Sequence, residues 1–126
     1  MKKGKILVVD DNPTNLKLAG DLLELEGFDV QRAIDAEMAM EIVSISPPEL
    51  ILMDVALPGM DGLTLTRILK SDEKTKSIII VALTAFAMKG DQDKIMEAGC
   101  DSYITKPINT RQFTSQVHEF LNQGPS

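Results

Sequence analysis

Ile6-Leu7-Val8-Val9-Asp10-Asp11-Asn12-Pro13 decides how this chain is read. A short aliphatic and β-branched run reads as a buried strand of a parallel sheet. Two acids end it. Asn12 is then a good helix N-cap, and Pro13 suits the first helical position. Other apolar runs also end in polar residues. Asp54 follows Leu50-Ile51-Leu52-Met53, Thr84 follows Ile78-Ile79-Ile80-Val81-Ala82-Leu83, and Lys106 follows Tyr103-Ile104-Thr105. Open parallel sheets bind ligands beyond the carboxyl ends of their strands. Four strand ends would therefore deliver three carboxylates, a hydroxyl and an ammonium to one edge.

Working outward, strand and helix alternate five times. The first strand spans 6–9. The helix after it runs to about Glu26, with Leu18, Leu22 and Leu25 inward and Leu16, Ala19 and Leu23 widening the stripe. Gly27 sits where a left-handed residue closes a helix. A weaker strand covers 28–33. Asp35 caps a second helix with Met38, Ala39, Ile42 and Val43 inward, and Ser46-Pro47-Pro48 stops it. A third strand covers 49–53. Pro58-Gly59 and Asp61-Gly62 form a loop before a helix that turns Leu65, Ile68 and Leu69 inward. A fourth strand covers 77–83, a fourth helix 91–98 closes at Gly99, and a fifth strand covers 101–105. Asn109 caps a last helix with Phe113, Val117, Phe120 and Leu121 inward, and 123–126 is a frayed tail. Strict βα alternation implies right-handed crossovers and a sheet covered on both faces. The expected fold is α/β: a flavodoxin-like, three-layer (βα)5 arrangement with a five-stranded parallel sheet in the order 2-1-3-4-5.

The chain has 126 residues, which suits one domain over 1–126, with its core at about 4–122. The formal net charge of −6 argues against a nucleic-acid surface. One cysteine, Cys100, excludes an internal disulfide and fits a reducing compartment. No run approaches the ~20 apolar residues of a membrane span, and Asp10-Asp11 breaks the run that a signal peptide would need. A cytoplasmic protein with no membrane contact is expected.

Three neighbouring carboxylates repel one another unless a cation joins them. Oxygen ligands with room for water suit Mg²⁺, which is bound through one or two carboxylates and a phosphate. An aspartate can also act as nucleophile and form an acyl phosphate. Charge on a phosphoryl group in transfer is stabilised by a cation, an ammonium and hydroxyl or backbone donors. Asp54 is the best candidate acceptor because it ends the central, most apolar strand. Lys106 and Thr84 are of the right types to hold phosphoryl oxygens.

These residues resemble the motifs of the response-regulator receiver domain, the CheY-like family of two-component signalling. The matching stretches are Val8-Val9-Asp10-Asp11-Asn12, Leu52-Met53-Asp54, Leu57-Pro58-Gly59-Met60-Asp61-Gly62, Leu83-Thr84-Ala85 and Tyr103-Ile104-Thr105-Lys106-Pro107. The resemblance implies a role for each. Asp54 would be the phospho-acceptor, Asp11 a direct Mg²⁺ ligand, Asp10 a ligand through water, and Ala56 a ligand through its carbonyl. Mn²⁺ would be able to substitute. Thr84 and Lys106 would bind the phosphoryl group, Tyr103 would be the aromatic switch, and Lys106-Pro107 a cis peptide. Thr84 to Asp91 is similar to DivK-like single-domain regulators and to receivers of hybrid histidine kinases. The implied partners are a histidine kinase or histidine phosphotransfer protein, and a downstream protein target. The target would bind the face of helix four, strand five and helix five, where Met88, Lys89, Asp91 and Tyr103 are the expected contacts. The resemblance implies a monomer or a phosphorylation-dependent dimer. It also implies a signalling module that assists its own phosphorylation, not an enzyme acting on an external substrate. Ala56 and Phe86 are apolar where the family varies, which implies a long-lived phosphoaspartate.

Singly, each residue has a plain structural alternative. Asp10-Asp11 could merely open a helix, Asp54 could be a turn residue, and Lys106 could face solvent. His118 and Cys100 read as a surface residue and a small filler. All five polar residues landing at strand ends together is what favours a site. A haloacid-dehalogenase-type phosphatase would place a second acid two residues after a first-strand Asp, and Asn12 stands there instead. A phosphorylation-independent, degenerate receiver would be expected to lack Asp54 or Lys106. Ending at Ser126, the chain is expected to be either a stand-alone receiver or one cut from a longer protein, with Met1 leaning towards the first.

Overall fold

The computed structural model describes residues 3–85 and 88–124. Five strands form one parallel sheet in the order β2-β1-β3-β4-β5. They are β1 (Lys5–Val9), β2 (Asp29–Ala33), β3 (Leu50–Asp54), β4 (Ile79–Thr84) and β5 (Ser102–Thr105). The helices are α1 (Pro13–Leu25), α2 (Ala36–Ile45), α3 (Gly62–Ser71), α4 (Lys89–Glu97) and α5 (Phe113–Gln123). The expected α/β order is therefore observed. No helix among the described residues is long and apolar enough to cross a membrane.

The central strands are the most apolar because helices cover both of their faces. Every residue of β3 and β4 is buried. Side chains alternate between two cores. Leu7, Val9, Ile51, Met53, Ile80 and Ala82 pack with α2, α3 and Ile95 of α4. Ile6, Val8, Leu50, Leu52, Val81 and Leu83 pack with α1 and α5. Each large aliphatic side chain so buried contributes about 1.5–3 kcal/mol.

Several helix faces differ from the sequence expectation. In α1, Leu18 and Leu25 point outward, Leu25 being 86 % exposed, while Ala19, Gly20 and Leu23 are buried. The cause is close approach at Gly20, where a Cβ would meet the Arg32 guanidinium at 2.4 Å. Small residues face the sheet there beside Leu23, Leu16 and Leu22 stay half-buried against the core, and only Leu18 and Leu25 of the helix's leucines are left outside. In α2, Met38 is exposed and Ala36 takes the inward place. In α3, Ile68 is exposed and Thr66 is buried, its hydroxyl donating to Gly62 O at 2.8 Å.

Helix ends follow the capping chemistry. Asn12 Oδ1 accepts from Thr14 N and Asn15 N, and Asp35 Oδ1 from Met38 N. Asp61 Oδ1 accepts from Thr64 N, so Asp61 caps α3 and does not merely continue the loop. Each cap contributes about 1 kcal/mol. Asn109 does not cap α5. Its carbonyl accepts from Gln112 N and Phe113 N, its side chain accepts from Arg111 N, and α5 begins after that turn. Gly27 and Gly99 have φ of 99° and 107°, as expected for residues that close helices.

Candidate functional site

The sheet register brings the strand ends level. Val9 pairs with Met53, Asp54 with Leu83, and Thr84 with Thr105. Asp10 N donates to Ala33 O at 3.0 Å and Lys106 N to Thr84 O at 2.8 Å. Asp10, Asp54, Thr84 and Lys106 thus leave the sheet together at its carboxyl edge. With Asp11, Ala56, Asn12 and Asn15 they line one cleft of about 420 Å³.

Asp10 and Asp54 are almost fully buried, at 1 % and 4 % exposure, whereas Asp11 is exposed at the mouth. One carboxylate oxygen from each of Asp10, Asp11 and Asp54 lies within 4.8 Å of the others. The donors are hard oxygens, two buried and one open to solvent. That set suits a small divalent cation that keeps part of its water shell. Lys106 bridges the buried pair. Its Nζ lies 3.1 Å from Asp10 Oδ2 and 3.4 Å from Asp54 Oδ2. The peptide that follows, Lys106-Pro107, is cis as expected.

Backbone donors complete the arrangement. Ala56 N donates to Asp54 Oδ1 at 3.0 Å, and Asn12 N to Asp10 Oδ1 at 2.9 Å. Burial raises the Asp54 carboxyl above its ordinary range. The Ala56 N–H opposes this, the neighbouring Asp10 charge adds to it, and Lys106 opposes it. Asp54 is thus a desolvated carboxylate, held by a backbone N–H and one ammonium.

The structure brings together all five strand-end residues singled out in the sequence, and Ala56 with them. Thr84 is buried at the cleft wall. Tyr103 is not in this cleft. It is half-buried, packs against the core beneath α2–α4, and lines a separate surface cleft with Thr105 and Gln116. Phe86 lies outside the described residues. Asn12 uses its side chain to cap α1, so it is not placed as a second acid or base. His118 is more engaged than a surface residue would be. Its Nε2 lies 3.4 Å from Glu26 Oε2 and its ring is 5.1 Å from Phe28.

Sequence reasoning missed Gly62 as a positioning residue. It is the first residue of α3, and a Cβ there would stand 2.2 Å from the Asp54 carbonyl oxygen. Its N–H donates to Val55 O at 3.2 Å. Glycine at that position is what lets α3 begin directly against the acceptor strand. The only trace in the sequence is the pair Asp61-Gly62, which reads equally well as a turn.

Comparison with known proteins agrees with this geometry. Residues 6–118 match the family model described as the response regulator receiver domain. The polar-differentiation response regulator DivK of Brucella ovis is 40 % identical over 119 residues, covering 94 % of this chain and 97 % of that protein. A response regulator from Chloroflexus aurantiacus superposes with a TM-score of 0.90 at 30 % identity, covering 96 % of this chain and 99 % of that one. The signal receiver domain of a histidine kinase from Syntrophus aciditrophicus gives 0.87 at 32 % identity, covering 95 % and 91 %. The level strand ends, the acidic cleft and the matched length have one reading: the chain belongs to the response regulator receiver domain family, the response regulators of two-component phosphorelay signalling.

Proposed function

We propose that Asp54 is the phosphoryl acceptor, supplied by a histidine kinase or a histidine phosphotransfer protein. One observation supports this above all. The buried Asp54 carboxylate shares a single cleft with two further carboxylates and the Lys106 ammonium. An Asp54 oxygen attacks phosphorus, the P–N bond to the donor imidazole breaks, and the imidazole leaves with the electron pair. Asp11 directly, Asp10 through water, Asp54 and the Ala56 carbonyl are the proposed holders of Mg²⁺. When bound, the ion would supply positive charge to the phosphoryl oxygens. Lys106 then turns from its two carboxylates towards a phosphoryl oxygen, and the Thr84 hydroxyl donates to another. Movement of Thr84, followed by Tyr103, alters the face of α4, β5 and α5, where a downstream protein binds. Met88, 78 % exposed ahead of α4, is the proposed apolar contact there. In this reading the chain is one receiver domain over 4–122 and a signalling module, with no external substrate.

Acetyl phosphate or beryllofluoride treatment of wild type and Asp54→Ala, with and without Mg²⁺, tests the proposal. Mass spectrometry should find one phosphoryl group that needs both Mg²⁺ and Asp54, with NMR shifts at Thr84, Tyr103 and α4. Modification that persists in Asp54→Ala would refute the assignment.

The Ala56 side chain is exposed and apolar at the cleft, so it cannot orient a hydrolytic water. The phosphoaspartate is therefore expected to be long-lived, and Ala56→Asn to shorten its lifetime with Mg²⁺ present. A wild type that dephosphorylates quickly and is not accelerated by Asn would contradict this.

A further inference from the structure

We propose that the groove between α2, the β3–α3 loop and α3 docks a basic, amphipathic helical segment of a partner protein. Met40 of α2 and Met60 of the loop are 39 % and 38 % exposed. They face one cavity of about 400 Å³, completed by Asp35, Glu37 and Pro58. Met40 also lines a second cavity of about 390 Å³ with Ile68, Pro47, Asp72 and Lys74. The two hollows share Met40 as a wall, and the first of them carries the acids Asp35 and Glu37. Thioether walls adapt to irregular apolar surfaces, which suits them to binding helices.

Charge decides the occupant. Between Arg32 and Arg67 the sequence contains no Lys or Arg but six acids: Asp35, Glu37, Glu41, Glu49, Asp54 and Asp61. Those six account for the whole net charge of −6, since the other thirteen acids are matched by thirteen bases. Asp35, Glu37 and Glu41 stand on or at the cap of α2, and Asp61 stands beside Met60. None of the four makes an ion pair among the described residues. On α1, by contrast, Asp21 and Glu24 are neutralised by Lys17 and Arg32. The first hollow, with its uncompensated acidic rim, repels phosphate-bearing partners, both nucleic acid and anionic lipid, and attracts Lys and Arg, whereas at the second Asp72 and Lys74 carry opposite charges. A helix with apolar residues at i, i+3, i+4 and i+7 and basic residues elsewhere complements both features.

The test is an NMR titration of the full chain, unmodified and without Mg²⁺, so its result is independent of the reading of Asp54. The probe is a synthetic helical peptide of about 15 residues with Leu on one face and Lys and Arg on the other. A scrambled peptide of equal composition is the control. Shifts should map to residues 35–41 and 58–61 and to the Met40 and Met60 methyls. Glu37→Lys with Glu41→Lys should weaken binding at least about tenfold at low salt, and Met40→Ala should weaken it without changing its salt dependence. Both acids are exposed, so the reversed variant keeps its fold, which its own spectrum checks. Equal binding of the scrambled peptide, shifts on another face, or unchanged affinity in the reversed variant would overturn the proposal. So would concentration-dependent shifts at this groove without peptide, which mean a second copy, or binding to phosphatidylserine vesicles.

Discussion

Two half-buried lysines hold carboxylates at opposite edges of the same sheet, and only one of them is in charge balance. At the amino edge, Lys70 Nζ lies 2.8 Å from Asp101 Oδ2 and also donates to the carbonyls of Ile78 and Lys76 at 2.7 and 3.2 Å. Asp101 Oδ2 accepts from Ile80 N as well. One ammonium meets one carboxylate, and the ammonium's three donors are used. At the carboxyl edge, Lys106 faces two buried carboxylates at 3.1 and 3.4 Å, with Asp11 nearby. The two lysines are similarly covered, 16 % and 19 % exposed. What differs is the sum of charge. The balanced pair ties α3 to the starts of β4 and β5. The unbalanced set has an unmet demand for positive charge, which a cation or a charge-changing reaction can meet.

The strongest way to break the comparison is to remove the balanced lysine. Lys70→Ala removes the ammonium that Asp101 and two carbonyls share. Breaking a buried pair in this way costs about 3 kcal/mol or more. Urea unfolding should show a lower midpoint with the same slope. Phosphorylation of Asp54 should survive wherever the variant remains folded. Cys100, buried beside Asp101 with its thiol pushed up to about 11 mainly by burial, would report the same loss through faster labelling.

Mg²⁺ should act only at the unbalanced edge. At one hundred times its dissociation constant it would stabilise wild type by about 2.7 kcal/mol. Asp11→Ala should lose most of that gain. Because Asp11 is exposed, the same change should alter metal-free stability by no more than about 0.5 kcal/mol. Thermal melts with and without Mg²⁺ check both statements, and equal Mg²⁺ gains in the two proteins would place the cation elsewhere.

A smaller effect concerns Asp54 itself. Its folded-state carboxyl titrates above the ordinary range, chiefly through burial, with the Asp10 charge adding to it. The ionised form therefore penalises folding at pH 7. Below the unfolded value of about 3.9 the carboxyl is neutral in both states and the penalty is absent. Asp54→Asn should thus stabilise the metal-free protein at pH 7. The gain should shrink as pH falls through the raised folded value. A gain independent of pH would mean that packing, not charge, is the cause.

The unbalanced edge was the legible one. Asp10, Asp54, Thr84 and Lys106 each end an apolar run, and strand order alone brings them together. The balanced edge left no such trace. Lys70 sits late in α3 and Asp101 after a helix-closing Gly99, and only the folded chain shows that they meet. Helix faces were half legible. In α1, leucines at 16, 18, 22, 23 and 25 offer more than one stripe. The buried face carries Ala19, Gly20 and Leu23, and at Gly20 the Arg32 guanidinium fills the space a side chain would need. Backbone donors such as Ala56 N and Asn12 N carry no sequence mark at all.

The smallest expected effect is the most demanding test of the contrast. If the two lysines serve separate purposes, perturbing one edge should not change the cost of perturbing the other. Among the described residues Lys70 bonds Lys76, Ile78 and Asp101, whereas Asp54 bonds Ala56 and Lys106. They lie at opposite ends of β3, β4 and β5. Distant sites of this kind add within about 0.5 kcal/mol. The double variant Lys70→Ala with Asp54→Asn, measured by urea unfolding at pH 7, should equal the sum of the single variants to that margin. A coupling of about 1 kcal/mol or more would mean that strain travels along β4 between the edges. Lys70 would then belong to the switching apparatus, and charge balance would no longer separate scaffold from site.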